Sequence, residues 1–152
     1  MSALAQSALR IVLDTNILMG GLINPDRSAS GAVVRLCLDG EVEVLVSSAI
    51  RGEYLDIFGK MRFGRPEAVE KRTRGLQALL DKARAVEPTF RLDCIPEDPA
   101  DNRFLECALS GGARCIVSQD RHLLALKEFQ NVRILTAGDF LRHYRRMRGA
   151  RA

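Results

Sequence analysis

The run Ile11-Val12-Leu13, followed directly by Asp14-Thr15-Asn16, constrains this chain more than any other stretch. Consecutive aliphatic residues leave both faces apolar, which suits a central parallel strand covered by helices above and below. Three polar residues cannot continue a buried strand, so it stops at Asp14. A carboxylate therefore lies at the carboxyl end of an inner strand, the edge at which open α/β sheets bind their ligands.

The same arrangement recurs along the chain. Val42, Val44, Leu45 and Val46 form a second strand ending at Ser47-Ser48, and Cys115-Ile116-Val117 forms another ending at Ser118-Gln119-Asp120. Val132 to Leu135 makes the last strand. Helical stripes separate them. Val33, Leu36 and Cys37 follow a cap at Ser28 or Ser30, and Ile50, Tyr54, Ile57 and Phe58 follow a cap at Ser48. Leu76, Leu79, Leu80 and Ala83 follow Pro66; Phe104, Leu105, Ala108 and Leu109 precede Gly111-Gly112; Phe140, Leu141 and Tyr144 close the chain. Gly20-Gly21 is expected to interrupt the first helical turn, a short edge strand broken by Pro88 is expected between Val86 and Ile95, and a short helix from Arg121 to Glu128. Strands alternating with helices define an α/β class with a mostly parallel sheet.

A chain of 152 residues is one domain, able to bury about 70% of its unfolded surface. Residues 1–9 are expected to be a disordered leader, 10–144 the single domain, and 145–152 a basic tail. No apolar run approaches the ~20 residues that span a bilayer, and the opening residues lack the charged start of a signal peptide. Cys37, Cys94, Cys107 and Cys115 stand far apart without a Cys-x-x-Cys pair. This points to a reduced, cytoplasmic protein without structural zinc, three of the cysteines serving as small core residues. Net charge is a mild +4, but Arg142 to Ala152 holds five arginines and no acid.

Four acids collect at one edge of such a sheet: Asp14, Glu53, Asp101 and Asp120. Asp14 and Asp120 end strands; Glu53 and Asp101 are expected in the first turns of helices leaving the same edge, because right-handed crossovers bring these edges together. Clustered carboxylates repel one another unless a cation sits among them, and oxygen-only ligation suits Mg²⁺ or Mn²⁺ rather than zinc. Such ions support phosphodiester hydrolysis by lowering the pKa of bound water and neutralising charge on the phosphate. Each acid also has a plain structural reading: a turn for Asp14 and Asp120, an N-cap for Asp101, a solvated helix position for Glu53. Asp98, three residues before Asp101, is an alternative ligand. Competing chemistries are poorly supplied: the only histidines are His122 and His143, and neither a Gly-x-x-x-x-Gly-Lys loop nor a Gly-x-Ser-x-Gly elbow occurs.

Four segments in this order resemble the PIN-domain nucleases: Ile11-Val12-Leu13-Asp14-Thr15-Asn16; Val46-Ser47-Ser48 with Glu53; Asp98-Pro99-Ala100-Asp101-Asn102-Arg103-Phe104-Leu105-Glu106; and Ile116-Val117-Ser118-Gln119-Asp120-Arg121-His122-Leu123-Leu124. The Asp-Pro-x-Asp-Asn block is similar to the branch containing VapC-like toxins of bacterial toxin–antitoxin pairs. The resemblance implies a three-layer α/β/α sandwich and Mg²⁺- or Mn²⁺-dependent cleavage of single-stranded RNA; in-line attack by metal-activated water is expected to leave 5′-phosphate and 3′-hydroxyl ends. It places the metal-binding acids on Asp14, Glu53, Asp101 and Asp120, with Asn16 and Ser118 in supporting polar positions. It further implies a homodimer held inactive by a cognate antitoxin. Ser118-Gln119-Asp120 departs from the commoner Thr-Gly-Asp but keeps the carboxylate. Arg142, Arg145 and Arg146, on one face of the last helix, are candidates for RNA contact or for a solvated helix end. The alternative function is a non-catalytic RNA-binding or protein-interaction domain on the same fold.

Overall fold

The computed structural model describes residues 9–151. Its centre is a six-stranded sheet of β1 (Leu9–Leu13), β2 (Val42–Val46), β3 (Arg84–Ala85), β4 (Cys115–Val117), β5 (Glu128–Phe129) and β6 (Val132–Leu135), in the order β3-β2-β1-β4-β6-β5. All pairings are parallel except β5 with β6. The helices are α1 (Thr15–Ile23), α2 (Ala29–Leu38), α3 (Ser48–Gly59), α4 (Pro66–Lys82), α5 (Asn102–Gly111), α6 (Arg121–Leu126) and α7 (Ala137–Arg151), with a 3₁₀ turn at Pro99–Asp101. They cover both faces of the sheet, so the molecule is a three-layer α/β/α sandwich.

Burial follows the strand patterns. Ile11, Val12, Leu13, Cys115, Ile116 and Val117 are all fully buried, which a strand covered on both faces requires. Three of the four cysteines, Cys37, Cys107 and Cys115, lie in this interior, while Cys94 is exposed. From β1 the chain moves to β2 on one side, and from β3 it returns to β4 on the other. The order therefore reverses at β1, and the crevice at the carboxyl ends of β1 and β4 is the topological switch point.

Local details correct the expectations in five places. The first helix runs through Gly20-Gly21, because Gly21 lies so close to α2 that a Cβ there would sit 2.6 Å from Val34 and 2.8 Å from the Ser30 carbonyl. The glycine serves helix packing rather than a break. Ser47, not Ser48, caps α3, accepting from the Ile50 N–H at 3.2 Å. The edge strand is Arg84–Ala85, earlier than expected, and Val86 to Ile95 is irregular. The helix after Asp120 ends at Leu126, where Lys127 takes positive φ, and Gln130 and Asn131, also at positive φ, turn β5 back on β6 as a hairpin. Finally, Leu9 already belongs to β1 and α7 runs on as helix through most of the stretch expected as a basic tail, while residues 1–8 of the expected leader lie outside the described residues. Gly112, at φ +70, supplies the left-handed close to α5 that its position predicts.

Candidate metal centre

Asp14 follows β1 directly, at the N-cap position of α1, yet its side chain caps nothing. One carboxylate oxygen instead accepts from the Ser118 hydroxyl at 2.5 Å. The same Ser118 oxygen accepts the Asp120 N–H at 2.9 Å. Fully buried, Ser118 thus ties the end of β1 to the end of β4. Asp120 caps α6, its Oδ1 taking the His122 N–H at 2.8 Å and the Leu123 N–H at 3.2 Å. The plain structural reading of Asp120 is therefore true of one oxygen and leaves the other free for a second role.

Glu53 sits in the second turn of α3 rather than the first, and accepts from the Thr15 hydroxyl. Its neighbour Tyr54, fully buried, donates to the Leu13 carbonyl at 2.6 Å. That bond ends the β1 ladder on a side chain of α3 and turns Glu53 toward Asp14. Thr15 and Tyr54 were not among the expected site residues; their signal was position alone, each adjacent to an acid.

Asp101 closes the 3₁₀ turn and is only 6% exposed. It makes no cap, and its Oδ2 is buried without any hydrogen-bond partner. Among the described residues, Asp98, Asp101 and Asp120 bring carboxylate oxygens within 4.8 Å of one another. Asp98 therefore joins Asp101 instead of competing with it. Burial pushes the Asp101 carboxyl up to about 8, with the charges of Asp120, Asp98 and Asp14 adding to the effect. Asp14 rises to about 6, chiefly through burial, opposed by the Ser118 bond and reinforced by Glu53 and Asp120. The five acids thus form one electrostatic unit.

An all-oxygen donor set, mutual repulsion and an orphaned buried carboxylate oxygen together fit a hard divalent cation. Asn16, by contrast, is exposed in the first turn of α1. Arg142 is engaged with Asp139. Helix α7 runs toward the amino edge of the sheet, where His143 meets Arg133 at 3.2 Å and Arg148 meets Glu41 at 3.0 Å. Arg145 and Arg146 are carried away from the acids.

Fold and site together define a class: a doubly wound α/β/α domain with a cluster of acids at its switch point. Residues 10–122 match the family model described as PIN domain, and the chain belongs to that family. No curated protein sequence matches it significantly. Solved structures that share the fold include the following two. One is VapBC2 from Rickettsia felis bound to a DNA fragment from their promoter, at 15% identity and TM-score 0.56, with 83% of this chain and 97% of that one covered. The other is PAE2754 from Pyrobaculum aerophilum, at 20% identity and TM-score 0.58, with 90% and 92% covered. No helix among the described residues is long and apolar enough to cross a membrane.

Proposed function

We propose that this protein is a Mg²⁺- or Mn²⁺-dependent endoribonuclease acting on single-stranded RNA, a VapC-like toxin of a toxin–antitoxin pair working in the cytoplasm. The observation that carries the reading is the buried, unpartnered oxygen of Asp101 within reach of Asp98 and Asp120 at the switch point. Membership of the PIN family supports nuclease chemistry, and the likeness to VapBC2 supports an antitoxin partner. A homodimer belongs to the same proposal.

Asp14, Asp101 and Asp120, with Asp98 beside them and Glu53 at the Asp14 side, would hold the cation. When bound, it supplies charge neutralisation at the scissile phosphate and lowers the pKa of water at neutral pH. The chain's own contribution is placement. Ser118 holds Asp14 and the Asp120 backbone at fixed separation, and Thr15 holds Glu53. Burial and the neighbouring acids hold the Asp101 carboxyl up, and a cation among them would favour its ionised form. Asp14 and Glu53 are also the groups available to accept a proton from the attacking water.

The test is cleavage of a single-stranded RNA in Mg²⁺ or Mn²⁺. Activity is expected with either ion, lost in EDTA and lost in Asp120→Asn, with RNA binding retained. Full activity in EDTA, or RNA binding without cleavage under every metal condition, would contradict the proposal.

A further inference from the structure

The motif that contains Asp98 and Asp101 continues with Asn102, Arg103 and Glu106, and the proposed chemistry uses none of these three. Asn102 is 1% exposed and Glu106 is 2% exposed. Burying an amide and a carboxylate this deeply is costly unless their bonds are made. Here they are made to one stretch of backbone. The Asn102 amide oxygen takes the Cys94 N–H at 2.7 Å and the Ile95 N–H at 3.1 Å, while its nitrogen donates to the carbonyls of Pro99 at 3.0 Å and Ile95 at 3.5 Å. Glu106 takes the Leu92 N–H at 2.7 Å and pairs with Arg103 at 3.1 Å, and Arg103 donates to the Leu92 carbonyl at 3.2 Å.

The stretch from Arg91 to Ile95 belongs to no strand, so side chains of α5 do for its backbone what a neighbouring strand would do. Ile95, 2% exposed, seats the stretch in the core. The acidic loop that follows is pinned by Asn102 at both Ile95 and Pro99, with Asp98 between the two anchors. The Asp98 carbonyl also accepts the Asp101 N–H at 3.0 Å. Asp120, meanwhile, is held independently by Ser118 and the first turn of α6. Whatever moves Asn102 therefore moves Asp98 and Asp101 together against a stationary Asp120.

We infer that Asn102 and Glu106 are positioning residues: their clasp on residues 92–95 sets Asp98 and Asp101 against Asp120 and so determines the divalent-cation affinity of the site. The inference rests on the proposed metal centre and assigns the part of this chain that tunes it.

The experiment is calorimetric titration of metal-free protein with Mn²⁺, alongside amide exchange of the same samples without metal. Asn102→Ala and Glu106→Leu are expected to weaken Mn²⁺ binding by about ten- to a hundredfold, as loss of ligand-supporting bonds generally does. Both should speed exchange at Leu92, Cys94 or Ile95. Glu106→Gln, which keeps an acceptor for the Leu92 N–H, should restore most of the affinity. Phe140→Leu, a buried change on α7, should lower the thermal midpoint while leaving affinity unchanged. If Asn102→Ala does not fold, the Glu106→Leu and Glu106→Gln pair decides. Wild-type protein that binds no Mn²⁺ overturns the metal centre itself. Wild-type protein that binds, with both variants destabilised yet equal to it in affinity, overturns the positioning role alone.

Discussion

Asp101 is the residue at which the plain structural reading and the metal-binding reading part. Its position before a helix reads as an N-cap, but no cap bond forms and one oxygen is left without a partner. The consequence is a pH dependence of known sign. With no metal, Asp14 and Asp101 bind protons more tightly folded than unfolded, at about 6 and about 8. Their contribution is fully present below the unfolded carboxylate pKa near ~3.9 and is lost as pH rises through the folded values. Thermal midpoints in EDTA should therefore fall between roughly pH 5 and pH 9. Asp101→Asn should flatten the upper part of that fall, and saturating Mn²⁺ should oppose it. A wild-type midpoint in EDTA that is level over this range would show that the carboxyls are not coupled as described.

At the scale of elements, the central strands were legible because a strand buried on both faces must be apolar without interruption, and little else reads that way. Ile11 to Leu13 and Cys115 to Val117 fall where their composition places them, and so do the acids that end them. Asp98 was harder to assign. Its partnership with Asp101 depends on a 3₁₀ turn at Pro99–Asp101, and spacing alone leaves open whether three residues separate or join two carboxylates. The β5–β6 hairpin was illegible because two-residue strands have no periodicity. Glu53 was found without its support, since the Tyr54 hydroxyl bond to Leu13 crosses between elements 41 residues apart. Tyr54→Phe leaves a buried carbonyl unpaired, so urea unfolding should show a loss of about 1–3 kcal/mol. It should also lower cleavage, by freeing α3 to shift Glu53. A variant as stable as wild type would remove Tyr54 from this role.

Over the whole molecule, the site acids and the arginines of the last helix lie toward opposite edges of the sheet. The carboxylates gather at the carboxyl edge of the sheet, and α7 takes its arginines toward the amino edge. The triple change of Arg142, Arg145 and Arg146 to alanine is therefore expected to leave the salt dependence of RNA binding unchanged. Three lost phosphate contacts would instead reduce the slope by roughly 0.7 each.

The central claim, that these acids form a cation site and not a set of structural contacts, is tested most directly by thermal unfolding of wild type and Asp101→Asn with and without Mn²⁺. Removing a carboxyl that is buried and repelled by its neighbours should raise the variant's midpoint in EDTA by a few degrees, since ~1 kcal/mol moves a domain of this size by about 2–4 °C. Wild type should gain about 2.7 kcal/mol at a hundredfold excess of Mn²⁺ over its dissociation constant, and the variant should lose most of that gain. A variant less stable than wild type in EDTA, with an undiminished response to Mn²⁺, would make Asp101 a structural residue and contradict the account.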